Sequence, residues 1–205
     1  MMISAAEALE RLRAGNRRFA EHMRIRPTAT RRMEVAERQE PIAIILGCSD
    51  SRVPADTVFD QELGSLFVIR VAGNVVQTSQ IGSVEYAATK FGTRLVVVLG
   101  HSRCGAIEET IEGLRSAGKQ ASGNLNSIVE LIRPSVEPLL EAGADNAPET
   151  IMERAVRANV RASVEQLRRG SGIIENLERH DGLVIVGAEY SLETGVVDFF
   201  DGAPE

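Results

Sequence analysis

Cysteine is scarce and tryptophan is absent in this chain of 205 residues, and aromatic side chains make up only 4% of it. Two cysteines, Cys48 and Cys104, exclude a disulfide framework and favour a reducing compartment, so we predict a cytoplasmic protein. No apolar run approaches the roughly 20 residues that cross a bilayer. The N-terminal segment also carries charges where a signal peptide needs an apolar core, and we expect no membrane association.

Positive charge is concentrated near the N-terminus, although the chain as a whole has a net charge of −6. Residues 1–33 contain eight arginines and three acidic residues. Such a segment can bind nucleic acid. Here, however, the arginines alternate with acids and aliphatic residues at helical spacing, and no aromatic platform for bases accompanies them. We predict a solvated helix face, or a helical arm over 1–40 that packs on a partner subunit, and no nucleic-acid partner.

The hydrophobic pattern alternates between buried strands and amphipathic helices. Helices are predicted over 4–20, where Ser4 and Glu7 form a capping box, and over 29–39. Further elements follow along the chain: strands at 42–46, 66–71, 95–99 and 183–186, helices at 79–91, 103–117, 126–141, 148–169 and 171–179, and a turn-rich tail. Pro134 and Pro138 are expected to limit or kink the helix over 126–141. The pattern predicts one α/β domain over 1–205, with a mainly parallel sheet and flanking helices.

The residues suited to chemistry follow two of the predicted strands. The first strand runs into GCSDSR, with Cys48, and the third runs into GHSRCG, with His101 and Cys104. Ligands of a parallel sheet bind at the carboxyl ends of its strands. Two thiolates and an imidazole select zinc, and three protein ligands leave a fourth position open, as in catalytic zinc sites. Either cysteine alone fits a buried small hydrophobic residue, and a disulfide between them is improbable in a reducing compartment.

Three segments, GCSDSRVPADTVFD, LFVIRVAGN and GHSRCGA, resemble signature segments of the β-class carbonic anhydrases. The likeness extends over about residues 4–200. It implies four parallel strands with an antiparallel edge strand, assembly into homodimers or homotetramers, and one Zn²⁺ per chain. It further implies reversible hydration of carbon dioxide to bicarbonate and a proton by zinc-bound hydroxide. The zinc ligands implied by the resemblance are Cys48, His101 and Cys104.

The resemblance also assigns a catalytic dyad, Asp50 and Arg52. A guanidinium can clamp a carboxylate with two hydrogen bonds, which keeps the carboxylate ionised and oriented. In part of the family the equivalent aspartate binds zinc as a fourth ligand and closes the site. Two thiolates cancel the formal charge of zinc, so the bound water should ionise less readily than in an all-imidazole site. We therefore predict activity that rises from pH 7 to 9.

Substrate contacts are implied at Gln39, Phe67 and Tyr86, partly across a subunit contact. One departure from the family concerns the bicarbonate-inhibited members, which have a tryptophan three residues before the first zinc cysteine. Ile45 occupies that position here, while Arg70 and Tyr190 match the other two positions of the inhibitory site. We therefore expect no strong inhibition by bicarbonate.

Two alternative functions stay open at this stage. Hydrolysis of carbon disulfide or carbonyl sulfide occurs on the same scaffold, and the motifs do not distinguish it. A non-catalytic zinc-binding assembly protein of this fold is the other. The presence of both Asp50 and Arg52 argues against the second alternative, because a structural site has no use for a clamped base.

Overall fold

The structure is a computed structural model, and it describes residues 3–23, 35–36, 39–116, 123–141 and 148–203. The helix predicted over 29–39 lies largely outside these residues. The described part contains one five-stranded sheet with the strand order β2-β1-β3-β4-β5. Its strands are β1 (Ala43–Gly47), β2 (Leu66–Arg70), β3 (Leu95–His101), β4 (Val184–Tyr190) and β5 (Val197–Asp201).

Four neighbouring strands run parallel, and β5 pairs antiparallel with β4 at one edge. This arrangement confirms the predicted fold class. The helices are α1 (Ala5–Ala20), α2 (Ala55–Val58), α3 (Thr78–Lys90), α4 (Gly105–Arg115), α5 (Gly123–Glu141), α6 (Pro148–Gly170) and α7 (Gly172–His180). Helix α1 begins as predicted, because the Ser4 hydroxyl accepts a hydrogen bond from the Glu7 amide at 3.1 Å.

Two details differ from the sequence-based expectation. Helix α5 continues through Pro134 and Pro138, which both lie on its exposed side, where water can bind the carbonyl groups that lose a helical partner. The region predicted as a turn-rich tail instead completes β4 and forms β5. The predicted strand at 183–186 was too short because Gly187 and Glu189 interrupt the apolar run, although both are buried in the sheet. β5 is the antiparallel edge strand that the resemblance implied, now located at Val197–Asp201.

Every residue of β1 and β3 is buried, because helices cover both faces of the sheet. On one face, Leu9 and Leu12 of α1 pack against Ile45 and Val97. On the other face, α3, α6 and α7 cover the alternate strand residues, such as Val96. A third apolar cluster, formed by α4, α5 and α6, contains both cysteines at the carboxyl end of the sheet. None of the described helices is long and apolar enough to cross a membrane.

Candidate metal centre

Cys48 follows the last residue of β1 and is buried, with 5% of its surface exposed. The loop that carries it is held by Arg70 at the end of β2. The guanidinium of Arg70 donates to the carbonyl of Cys48 at 3.1 Å and to that of Asp50 at 2.6 Å. The Gly73 amide donates to the Cys48 sulfur at 3.4 Å. Backbone groups of neighbouring segments therefore fix the position of this thiol.

His101 and Cys104 lie on the turn between β3 and α4. His101 is the last residue of β3, Arg103 adopts a left-handed conformation with φ of 53°, and Cys104 is the N-cap of α4. Gly47 pairs with Leu99 in the sheet, so Cys48 lies beside the end of β3. The His-x-x-Cys spacing places both side chains on one tight strand-to-helix turn at the same edge as Cys48.

The three side chains form a compact ligand group. Cys48 Sγ, His101 Nε2 and Cys104 Sγ lie within 4.8 Å of one another, and the two sulfur atoms are 4.0 Å apart. Tetrahedral zinc with Zn–S bonds of about 2.3 Å requires sulfur atoms about 3.8 Å apart. Both cysteines are free thiols, which rules out a disulfide in this structure. The donor set and its spacing fit a zinc ion.

The imidazole of His101 is oriented for a metal. Its Nδ1 atom contacts the Ser102 carbonyl at 2.8 Å, which fixes the ring. Its Nε2 atom is buried and has no hydrogen-bond partner among the described residues. A buried ring nitrogen without a partner costs free energy unless a ligand satisfies it. A metal ion at this position would remove that cost, with Ser102 supplying the outer hydrogen bond that metal-binding histidines usually make.

The two thiols influence each other strongly. A hydrogen bond from the Cys104 thiol lowers the pKa of Cys48, against the opposing effect of burial. The same hydrogen bond, together with burial, raises the pKa of Cys104. One thiolate is thus favoured in the protein without metal. Binding of a divalent cation would release the second proton, because coordinating thiols are deprotonated.

Asp50 and Arg52 form a two-pronged ion pair beside this ligand group. Arg52 Nε donates to Asp50 Oδ1 at 2.9 Å, and Arg52 Nη2 donates to Oδ2 at 2.7 Å. The Arg52 amide adds a third bond to Oδ1 at 2.9 Å. These hydrogen bonds, chiefly those of the Arg52 side chain, hold the pKa of Asp50 well below its usual range. Asp50 Oδ2 lies 4.0 Å from His101 Nε2, so a permanently ionised carboxylate borders the candidate centre.

The predicted substrate residues lie away from this group in the single chain. Phe67 and Tyr86 pack together with ring centroids 6.1 Å apart, and Phe91 joins them. Phe67 packs against the apolar cluster of α3, α6 and α7 rather than the cluster that holds the cysteines. Tyr86 is 52% exposed, and Gln39 is also exposed. Their role in substrate binding stays a prediction.

The positions equivalent to the inhibitory site are occupied by other contacts. Ile45 is completely buried inside the sheet. Tyr190 is buried, with its ring 6.3 Å from that of Phe19. Arg70 instead holds the loop of Cys48 and Asp50. The sequence alone showed the missing indole but did not predict this use of Arg70.

Two further polar residues were missed by the sequence analysis. Asn159 and Ser163 of α6 are buried and bind the carbonyls of Gly73 and Asn74, which follow β2. A signal was present in the segment AVRANVRASV, where two polar residues four positions apart lie among valines. Polar side chains on a buried helix face need hydrogen-bond partners, but their spacing does not reveal which backbone groups they bind.

Together, the fold and the cluster define an α/β protein with a candidate metal centre of two thiolates and one imidazole at the carboxyl end of a parallel sheet. The carbonic anhydrase family profile matches residues 43–197. The carbonic anhydrase of Mycolicibacterium smegmatis is 37% identical over 193 residues, covering 93% of this chain and 91% of that protein. Carbonic anhydrase 2 of Mycobacterium tuberculosis is 36% identical over 190 residues, covering 92% and 89%.

The fold of this chain is also similar to a solved structure from Sordaria macrospora, described as one of two tetrameric β-carbonic anhydrases. The TM-score is 0.75 at 23% sequence identity, covering 82% of this chain and 84% of that chain. A second solved β-carbonic anhydrase, CcaA, is 25% identical with a TM-score of 0.71, covering 97% of this chain and 94% of that chain. The chain belongs to the carbonic anhydrase family, in its β class, and is an enzyme of that family. The resemblance noted from the sequence is confirmed.

Proposed function

We propose that this protein catalyses the reversible hydration of carbon dioxide to bicarbonate and a proton, with one zinc ion held by Cys48, His101 and Cys104. The observation that carries the proposal is the buried Cys₂His group beside a carboxylate clamped by an arginine. Three ligand side chains leave one coordination position for water, which is the pattern of catalytic rather than structural zinc. The relatives named above support carbon dioxide as the substrate.

Zinc in this position supplies a Lewis acid that lowers the pKa of a water molecule and so makes a nucleophile available near neutral pH. The chain's own contribution is to orient that water. Asp50 Oδ1 already accepts two hydrogen bonds from Arg52, whereas Oδ2 accepts one. Oδ2 therefore keeps acceptor capacity on the side near His101 Nε2. Because Asp50 stays ionised, it accepts a hydrogen bond from the water and does not itself become protonated.

Arg52 determines where this carboxylate points. While both Asp50 oxygens are held by Arg52, the carboxylate is directed alongside the ligand group and is not one of its ligands. We propose that this arrangement is the active one. Rotation of Asp50 away from Arg52 would let it act as a fourth ligand and occupy the water position, which would close the site.

We further propose that Gln39, Phe67 and Tyr86 contact substrate through self-association of the chain into dimers or tetramers. The tetrameric Sordaria macrospora protein supports self-association as a property of this fold. The exposed Tyr86, packed beside Phe67, offers an apolar surface for a second copy. Free thiols at the centre also suit a reducing compartment, and we place the protein in the cytoplasm.

Stopped-flow hydration of carbon dioxide, combined with metal analysis, tests the proposed activity. Wild-type protein should contain one zinc per chain and hydrate carbon dioxide. Asp50→Ala should retain zinc and lose about 100-fold or more in rate, in the range expected for a positioned acid–base group. Glu130→Ala is the matched control, because Glu130 is an exposed carboxylate that accepts two hydrogen bonds from Arg133 on α5. The hydration rate of this variant should equal that of wild type.

Folded wild-type protein with full zinc occupancy and no hydration activity would overturn the proposal. Turnover of carbon disulfide or carbonyl sulfide, measured on the same samples in place of carbon dioxide hydration, would assign the alternative hydrolase function. Sedimentation velocity on the same protein measures self-association, and a monomer with full activity would contradict a substrate site that a second copy completes.

A further inference from the structure

The turn that follows β2 brings a backbone amide within hydrogen-bond distance of the Cys48 sulfur. Gly73 and Asn74 both have positive φ, of 68° and 44°. The Gly73 amide donates to Cys48 Sγ at 3.4 Å. A Cβ atom at Gly73 would lie 2.7 Å from Ile132 Cδ1 and 3.2 Å from the Cβ of Ala106. A side chain at this position would therefore displace the turn, and with it the amide that faces the thiol.

Two side chains of helix α6 donate hydrogen bonds to the same turn. The Asn159 side chain donates from Nδ2 to the Gly73 carbonyl at 2.8 Å, and the Ser163 hydroxyl donates to the Asn74 carbonyl at 3.0 Å. The two side chains are only 2% and 3% exposed. Since glycine has the greatest backbone freedom, the direction of the Gly73 N–H depends on such external contacts. These two bonds fix the peptide planes that follow Gly73 and Asn74. The Gly73 N–H belongs to the preceding plane, and its direction is limited because one side of the rotatable Gly73 backbone is held.

A hydrogen bond to a thiolate ligand withdraws electron density from its sulfur. Hydrogen bonds to coordinating sulfur atoms tune the properties of metal centres, and residues outside the ligand set commonly change metal affinity by about 10–100-fold. Two thiolate ligands donate electron density that offsets the positive charge of a metal ion. An N–H···S bond to one of them reduces this donation, so the metal keeps more of its positive charge. The Cys48 sulfur has backbone hydrogen bonds from Asp50, in its own loop, and from Gly73, which is the donor supplied by a separate segment of the chain.

We propose that Asn159, assisted by Ser163, is a positioning residue that aims the Gly73 amide at Cys48 and thereby sets the electron donation of this thiolate to the metal. The proposal rests on the proposed zinc site. Asn159 does not touch substrate or metal in this role. Its effect reaches the centre through two backbone groups, the carbonyl and the amide of Gly73.

Cobalt substitution gives a direct readout of this effect. Thiolate-to-cobalt charge transfer produces a near-ultraviolet band whose energy falls as the sulfur becomes more electron-rich. In Asn159→Leu, which keeps the side-chain volume but removes the donor, the band should move to longer wavelength. Zinc affinity, measured by competition with a chromophoric chelator, should change by about 10-fold. The midpoint of the pH–rate profile should move upward by up to about one pH unit, the effect of losing one hydrogen bond.

Val164→Ala is the matched control, because Val164 is buried on the same helix and has no hydrogen-bonding side chain. It should lower thermal stability while leaving the cobalt band, the zinc affinity and the pH midpoint at their wild-type values. Ser163→Ala is a milder second variant that loosens the same turn one residue later. It should move the cobalt band in the same direction as Asn159→Leu, by a smaller amount. If Asn159→Leu does not fold, the proposal can still be tested with Ser163→Ala.

An Asn159→Leu protein that binds cobalt with an unshifted band would show a purely structural role and would overturn the proposal. If Asn159→Leu does not fold, an unshifted band in Ser163→Ala would overturn it equally. The band and the chelator competition require metal binding but no turnover. They therefore separate failure of this inference from failure of the proposed hydration activity, which is measured on wild type.

Discussion

At the scale of single residues, the Asp50–Arg52 pair has the most direct consequence for activity. Arg52→Ala removes both side-chain hydrogen bonds to the carboxylate, so Asp50 should lose its fixed orientation and its pKa should rise toward the ordinary value. Misplacement of a catalytic group by about 1 Å can cost about 100-fold in rate. We therefore expect Arg52→Ala to retain zinc and lose about 100-fold in kcat/KM, measured by stopped-flow hydration.

Arg133→Ala provides the comparison, because Arg133 makes the same two-pronged contact with Glu130 on the exposed side of α5. Surface pairs of this kind contribute little. Wild-type kinetics in Arg133→Ala and a large loss in Arg52→Ala would assign the effect to the position of the pair. Equal kinetics in the two variants would count against a directed carboxylate.

Bicarbonate sensitivity also depends on individual residues. Ile45 is buried in the position where inhibited relatives have an indole, and the guanidinium of Arg70 is bound to the carbonyls of Cys48 and Asp50. An anion could recruit Arg70 only by breaking the contacts that hold the loop of Cys48. We expect initial hydration rates to fall without cooperativity as bicarbonate is raised at constant ionic strength. A sigmoidal inhibition curve at millimolar bicarbonate would contradict this expectation.

At the scale of secondary-structure elements, the sequence predicted the strands in which every residue is buried. β1 and β3 read as continuous aliphatic runs because helices cover both faces, and α1 carried its capping box. The hydrophobic pattern did not locate β5, because it is an edge strand with mixed burial whose pairing depends on β4, although the family resemblance implied an antiparallel edge strand. The candidate ligands could be found from their place after β1 and β3. The role of Asn159 could not, because its partners are backbone groups 86 residues earlier in the chain.

One buried amide, that of Asn16, adds hydrogen bonds to the apolar contact of α1 with the rest of the fold. Asn16 donates to the carbonyls of Val58 and Gly195 at 3.1 and 2.8 Å, and it accepts from the Val197 amide at 2.8 Å. It thus ties α1 to the end of α2 and to the start of β5. Asn16→Ala leaves these backbone groups unsatisfied, and each buried unpaired group costs about 1–3 kcal/mol.

We expect Asn16→Ala to lower the free energy of unfolding by at least about 3 kcal/mol and Tm by at least about 6 °C, measured by chemical and thermal denaturation. Arg11→Ala, on the exposed side of the same helix, removes only an ion pair with Glu7 and should change stability by less than about 0.5 kcal/mol. Similar losses in the two variants would mean that α1 is held by its apolar face alone.

At the scale of the whole molecule, the topology brings together groups that are far apart in the sequence. β1 and β3 are neighbours in the sheet, so the loop of Cys48 meets the His101–Cys104 turn directly. β2 supplies Arg70, and the segment after β2 supplies Gly73. Helix α6 contacts the segment after β2 through Asn159, which donates to the Gly73 carbonyl. The centre is thus a product of sheet order and helix packing, which explains why it is buried.

The pH dependence of activity is a property of this whole arrangement. Arg52 holds the pKa of Asp50 below its usual range, so the carboxylate is already ionised at pH 6 and its titration cannot change the rate above that pH. In the proposed zinc site, the remaining titration would be that of the metal-bound water, whose pKa of about 7 in an all-imidazole site would be raised by two thiolates that neutralise the zinc charge. We expect kcat/KM to rise from pH 7 to 9 at constant zinc content, measured by stopped-flow hydration. A flat profile from pH 6 to 9 would mean that the thiolates do not control the acidity of the water.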